Sequence, residues 1–174
     1  MKTLIVVDMQ NDFITGSLAN PAAEAIVEPM AEYIKNFEGD VIFTRDTHFD
    51  DYLLTQEGKN LPVPHCIYGT HGFEIATALG AAAMSKEWNK RHAVNKFAFG
   101  DIKRLTRETN LVDADEIYIC GTCTDICVVS VALGLKAIYP ETKMYCLKDL
   151  CAGVTPESHE AALTVMKMCQ IEVI

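Results

Sequence analysis

Short runs of β-branched and aromatic residues recur along this chain and alternate with longer segments of helical character. Thr3–Val7, Val41–Thr44, Asp115–Cys120, Lys143–Lys148 and Ile171–Ile174 read as strands, with His92–Lys96 as a further short one. Between them Pro21–Phe37, Phe73–Met84, Asp101–Thr109, Val128–Lys136 and Pro156–Cys169 read as helices, two of them opened by proline and the first closed by Gly39. The strands are apolar throughout instead of alternating, the pattern of a sheet covered on both faces. Strand–helix alternation of this kind predicts a three-layer α/β/α fold around a central, mostly parallel sheet. The 174 residues form a single domain, 1–174, without repeat, linker or low-complexity segment.

In such folds ligands bind beyond the carboxyl ends of the strands. That rule assigns Asp8, Asp46, His48, Lys96 and Cys127 to one rim. Residues 49–72, punctuated by glycine and proline, form a long irregular loop on the same side, and loops of that length are often functional.

The densest chemistry lies at Gly121-Thr-Cys-Thr-Asp-Ile-Cys127. A strand runs into a tight turn, and Cys127 opens the following helix with Thr124 or Asp125 as its N-cap. The first turn of a helix favours negative charge, hence a thiolate. A buried structural cysteine fits the same stretch equally well. Asp8 can take the thiol proton and Lys96 can stabilise the sulfur, which together favour a nucleophile. Asp46 and His48, two apart in extended chain, face the same way and with His65 can converge on one ion. Carboxylate plus imidazole suits Zn, Mn or Fe. The competing role is structural, with Asp46 and His48 hydrogen-bonding the loop and His65 packing beneath it. Cys120, Cys123 and Cys127 have partial metal-motif spacing, but no second pair follows. His71, His92 and His159 have no evident partner, and Cys66, Cys146, Cys151 and Cys169 read as small core hydrophobes.

A net charge of −9 argues against nucleic acid or an anionic membrane as partner. No apolar stretch is long enough to span a bilayer, and the amino-terminal apolar run meets Asp8 too soon for a signal peptide. Seven cysteines without small-scaffold spacing suit a reducing compartment, so a cytoplasmic location is expected.

Four motifs, Asp8-Met-Gln-Asn-Asp-Phe13, Asn95-Lys96, Gly121-Thr-Cys-Thr-Asp-Ile-Cys127-Val and Thr155-Pro-Glu-Ser-His159, together resemble the isochorismatase-like cysteine hydrolase superfamily nearly end to end. Asp46-x-His48 and Pro64-His65-Cys66 are similar to the metal motifs of its nicotinamidase-like branch. Branches acting on isochorismate or N-carbamoyl amines generally lack that set, and isochorismatases usually lack the cysteine. The resemblance implies a metal-dependent amidase that converts nicotinamide to nicotinate and ammonia through a Cys127 thioester, with Asp8 as acid/base and Lys96 supporting the thiolate. It also implies an oxyanion hole from the backbone N–H groups of Cys123 and Cys127, a cis peptide before Cys123, and Phe13 packing on the substrate ring. One divalent ion, zinc first and manganese or iron otherwise, would be held by Asp46, His48 and His65. Glu57 is the candidate fourth ligand, with Asp51, His71 or water as alternatives. A homo-oligomer is implied as well.

The chain departs from that pattern at Pro62, where nicotinamidases often carry an aromatic residue. Tyr68, Phe97 or Phe99 could substitute, or the substrate could be another small amide or carbamoyl compound. A non-catalytic α/β binding or regulatory domain is the reading from a different class. Receiver domains, however, put their acceptor acid after a middle strand, and haloacid-type phosphatases need Asp-x-Asp where this chain has Asp8-Met9-Gln10.

Overall fold

A computed structural model describes residues 1–84 and 93–174. Six strands, β1 (Lys2–Val7), β2 (Asp40–Asp46), β3 (Ala93–Lys96), β4 (Glu116–Thr122), β5 (Lys143–Ala152) and β6 (Glu172–Val173), form one sheet in the order β3-β2-β1-β4-β5-β6. Every adjacent pair is parallel. The chain moves outward from β1 through β2 to β3, then returns to add β4 on the other side of β1. With right-handed crossovers the connecting helices fall on opposite faces of the sheet. Accordingly α3 (Val27–Asn36) packs on α5 (Thr77–Met84), whereas α7 (Val129–Ile138) contacts both α6 (Ile102–Glu108) and α8 (Pro156–Met168). Leu4, Ile5, Val6 and Val7 of β1 are fully buried, as are Ile117, Ile119 and Cys120 of β4, which explains their unbroken apolar character.

Several boundaries differ from the sequence reading, each for a local reason. The Pro21–Phe37 segment is two helices, α2 (Pro21–Ala25) and α3, meeting at Ile26. Pro29 explains the break: it has no N–H to give to the Ala25 carbonyl, and its ring would collide with that group, so it is tolerated only in a new first turn. The helix expected from Phe73 begins at Thr77, because residues before it pair with the chain after β1. Ala76 N–H bonds Met9 O at 3.0 Å, and Asn11 N–H bonds Glu74 O at 2.9 Å. Inside the loop of residues 49–72 lie a 3-10 turn (Tyr52–Leu54) and α4 (Gln56–Asn60), capped by Thr55 Oγ1 on the Gly58 N–H at 3.0 Å. β5 extends past Lys148 to Ala152 through an irregularity opposite Ile119–Gly121. His92, expected to open β3, lies outside the described residues.

Among the described residues no helix is long and apolar enough to cross a membrane. All seven cysteines are free thiols.

Candidate active site and metal centre

The order of the strands reverses between β1 and β4, and the chain leaves the sheet there in opposite directions. The crevice between two such diverging loops is where open α/β sheets bind ligands. Asp8 stands at the end of β1 with φ 49°, in the left-handed region that non-glycine residues seldom occupy outside constrained sites. Gly121, its neighbour across the crevice, has φ 123°, and a Cβ there would lie 2.1 Å from the Val7 carbonyl oxygen. Only glycine lets β4 approach β1 so closely at this level.

Asp8, Lys96 and Cys127 meet beneath this crevice, all buried. Lys96 Nζ lies 2.8 Å from Asp8 Oδ2 and 3.9 Å from Cys127 Sγ. Thr44 Oγ1 donates to the other Asp8 oxygen at 2.6 Å. Oδ2 is turned to the Lys96 cation and, among the described residues, meets no donor with hydrogen-bond alignment, so it can receive a proton. Burial raises the Asp8 carboxyl above its ordinary range, and Lys96 only partly offsets this. Burial alone would lower Lys96, but Asp8, then Cys127 and Asp46, hold it firmly cationic.

The thiol of Cys127 differs from its expected state. Burial first and Asp8 second push it well up, against the pull of Lys96, the reverse of the lowering that a helix start would give. The helix start differs too. Thr124–Val128 forms a π turn preceding α7, Cys127 belongs to that turn, and Cys123 is its N-cap residue without a side-chain bond. Neither Thr124 nor Asp125 caps this helix. Thr124 Oγ1 is 2.9 Å from His159 Nδ1, and the Asp125 carboxylate accepts from Val154 N–H and Ser158. The peptide between Thr122 and Cys123 is cis, as the resemblance implies.

A second constellation lies at the end of β2. Asp46, His48, Glu57 and His65 each offer one ligand atom, all within 4.8 Å of one another. His48 Nε2 is 3.0 Å from Asp46 Oδ2 and 3.6 Å from Glu57 Oε1. His65 Nε2 is 3.5 and 3.7 Å from the same two atoms. Metal–ligand bonds of about 2.0–2.2 Å at tetrahedral angles would separate ligand atoms by about 3.3–3.6 Å, so the donor set fits a Zn-sized ion. His65 Nδ1–H donates to Val63 O at 2.8 Å, which turns its Nε2 lone pair inward. The Tyr52 ring packs edge-on against both imidazoles. Burial opposes ionisation of Asp46, yet bonds from His48 and His65 hold its carboxyl well below the usual range. Burial and the Asp46 charge raise Glu57. Of the alternatives to Glu57, Asp51 lines a cleft with Phe49 and Tyr68, and His71 accepts from Asn11 through its carbonyl at 2.8 Å. Neither joins the cluster.

Phe13 is buried with its ring 5.5 Å from that of His65. Tyr68 and Phe97 are about half exposed and are bridged by Phe49, whose ring lies 6.1 and 5.9 Å from theirs. Phe99 is likewise exposed, and so is Pro62.

Three residues of the site carry no signal in sequence spacing. Thr44 reads only as the end of a strand. Gln10 clasps the Asp46 peptide, accepting from its N–H at 2.7 Å and donating to its carbonyl at 2.9 Å. Asp12 accepts from the Cys66 N–H at 2.8 Å and so steadies the loop that carries His65. The Asp8–Phe13 motif contains both Gln10 and Asp12, which was the one available hint.

The isochorismatase domain model matches residues 2–174. The nicotinamidase/pyrazinamidase of Mycobacterium tuberculosis is 28% identical over 185 residues, covering 100% of this chain and 98% of that protein. Among solved structures, the pyrazinamidase of Pyrococcus horikoshii in complex with zinc superposes with a TM-score of 0.81 at 30% identity, covering 99% of this chain and 98% of that one. The nicotinamidase/pyrazinamidase of Bacillus subtilis gives 0.79 at 28% identity, with the same coverage. Full-length matches of this kind, on a parallel sheet whose switch point gathers an acid, a lysine and a cysteine, establish that the chain belongs to the isochorismatase family.

Proposed function

We propose that this protein is a metal-dependent amidohydrolase whose substrate is nicotinamide, converted with water to nicotinate and ammonia. The observation that carries this reading is the buried contact series Asp8–Lys96–Cys127 beside a four-ligand cluster that fits a divalent ion. The Cys127 proton passes to Asp8 as sulfur attacks the carboxamide carbon, since a thiol raised by burial needs a base at the moment of attack. The oxyanion is received by the backbone N–H groups of Cys123 and Cys127. Asp8 then gives its proton to the departing ammonia. In the second half Asp8 takes a proton from the water that attacks the thioester and passes it to the departing sulfur, which restores both the thiol and the carboxylate. Lys96 stays charged and balances the negative charge that moves between sulfur and carboxylate. Asp46, His48, Glu57 and His65 would hold the ion, zinc first, with manganese or iron otherwise. When bound, it supplies a Lewis-acid site for the pyridine nitrogen. Phe13, with Tyr68 and Phe97 at the exposed edge, provides the apolar surface for the ring.

Exposed Pro62 supports a second reading in which the same residues hydrolyse another small amide or a carbamoyl compound. Ammonia release from nicotinamide, measured before and after chelation, is the test. Activity removed by chelation, restored by Zn, Mn or Fe and absent in Cys127→Ser is expected. Folded, metal-loaded protein that releases no ammonia from nicotinamide but turns over a non-aromatic amide would move the assignment to the second reading. Inactivity on an entire carboxamide panel would overturn both.

A further inference from the structure

The π turn that carries Cys127 has no side-chain cap of its own, and its polar side chains are spent on a different element. Thr122 Oγ1 donates to Ala152 O at 3.1 Å. Fully buried Thr124 meets His159 Nδ1 at 2.9 Å. Both oxygens of Asp125 accept from the Val154 N–H, at 3.1 and 3.2 Å, and one also accepts from the Ser158 hydroxyl. The receiving segment, residues 152–159, is itself rigidly set. Thr155 and Ser158 form a capping box at the start of α8, and Asn20 Nδ2 holds the Gly153 carbonyl at 2.9 Å. Further along the chain, the start of α8 and the residues leading into it therefore hold Thr122, Thr124 and Asp125, all just ahead of Cys127. The Asp125 carboxylate, set at the amino end of α8, is also where the helix dipole favours negative charge.

We infer that Asp125 and His159 are positioning residues for the Cys127 thiol, clamping its turn to the start of α8 so that the sulfur stays beside Lys96, which in turn pairs with Asp8. Gly153 belongs to the same device. A Cβ at Gly153 would lie 2.7 Å from His159 Cβ and 3.1 Å from its Cα, so alanine there displaces His159 without touching the crevice. The inference rests on Cys127 being the nucleophile of the proposed hydrolase, and its test must separate the two.

The test measures two quantities on His159→Ala, His159→Asn and Gly153→Ala in the full-length, metal-loaded protein. One is amide turnover. The other is the rate and pH profile of alkylation of Cys127 by iodoacetamide, in which sulfur displaces iodide and the thiol proton passes to solvent, read by peptide mass mapping. Released from the clamp, the thiol leaves its buried place and titrates nearer to an ordinary cysteine. Alkylation at neutral pH should therefore rise severalfold while kcat falls about tenfold and KM stays within about twofold. Asparagine offers a polar atom where Nδ1 stood, so His159→Asn should return both quantities to within about threefold of wild type. Continued protection of Cys120, Cys146 and Cys151 certifies an intact core. If His159→Ala does not fold, Gly153→Ala carries the same expectation.

An alkylation profile in folded His159→Ala or Gly153→Ala that superimposes on wild type would overturn the clamp. So would His159→Asn behaving like His159→Ala. A shifted alkylation profile in a protein inactive on every amide would leave the clamp standing and refute the proposed substrate instead.

Discussion

Replacing Lys96 by methionine isolates the electrostatics of the site, because the side chain keeps its length and loses its charge. Lys96 and Asp8 are both fully buried, so the change leaves a carboxylate in the interior, where Thr44 Oγ1 donates to one of its oxygens. Stranding one member of a buried ion pair typically costs about 3–5 kcal/mol. The acid has an escape, which is to hold a proton. A carboxyl whose ordinary value is 3.8 gives up about 4 kcal/mol by remaining protonated at pH 7, at about 1.4 kcal/mol per pH unit. The two routes are similar in size, and about 4 kcal/mol is the loss expected at neutral pH.

The sign of the pH dependence follows from the direction of the shift. Burial already raises Asp8 in the native protein, and Lys96 pulls it down, so removing Lys96 raises it further. For a carboxyl raised on folding, the unfolded chain releases the proton first. Stability is full below about pH 4 and declines as pH rises toward the folded value. Lys96→Met should therefore lose about 1.4 kcal/mol per pH unit between about pH 5 and 7 relative to the Asp8→Asn/Lys96→Met double variant, which carries no charge to strand. Urea unfolding of the three proteins at pH 5, 6 and 7 measures this. A Lys96→Met variant whose stability runs parallel to that of the double variant would refute the reasoning, and with it the idea that Lys96 balances a buried negative charge.

Two further outcomes can be checked independently. Gly121→Ala must push a methyl to 2.1 Å from the Val7 carbonyl at a φ of 123°, so a loss of about 3 kcal/mol or more, or a Tm about 6–12 °C lower, is expected; an unchanged Tm by calorimetry would show that β1 and β4 can separate freely there. Zinc affinity, followed by calorimetric titration of chelated protein, should weaken at least about tenfold from pH 8 to pH 6. Burial opposes charge on His65, but its bonds to Asp46 and Val63 prevail and raise it above 6.5, so protons compete with the ion for Nε2; an affinity flat across that range would remove His65 from the ligand set.

What could be read from the sequence is what depends on neighbours along the chain. A buried strand shows itself by its own apolar run, and the residue that follows it inherits a place on the carboxyl rim, which is why Asp8, Asp46 and Lys96 were legible. Glu57 could be nominated only through resemblance, since the short helix α4 that presents it is five residues long and looks like loop. Thr44, Gln10 and Asp12 act on groups 36 to 54 positions away, and no local pattern announces such partners. The same holds for Asp125. Its residue type and position suit an N-cap for the helix beside it, but the free N–H it satisfies belongs to Val154, brought close only by the pairing of β4 with β5. Local chemistry identified a hydrogen-bond acceptor, and tertiary structure chose which N–H it serves.

The two constellations of the site are parts of one arrangement, because a single strand supplies both. Val6 is level with Phe43, so the residues of β2 just beyond reach past the end of β1. Alternate residues of a strand face the same way. Thr44 turns to Asp8, and Asp46, two residues on, stands on the same side and joins the metal cluster. Arg45 between them faces away, where its Nε bonds Asn95 at 2.9 Å across to β3. That bond locks a register in which Lys96 is level with Asp46. Lys96 thus lies beside the Asp46 carboxylate while its amino group reaches Asp8 and Cys127, and the acids around it outweigh the burial that would otherwise neutralise it. Slipping β2 by one residue would turn Thr44 and Asp46 to the opposite face together, taking the hydroxyl donor from Asp8 and one carboxylate from the four-residue cluster in one step. The sheet register therefore underlies the arrangement of the proposed site, and the Arg45–Asn95 bond on the far face helps to fix it.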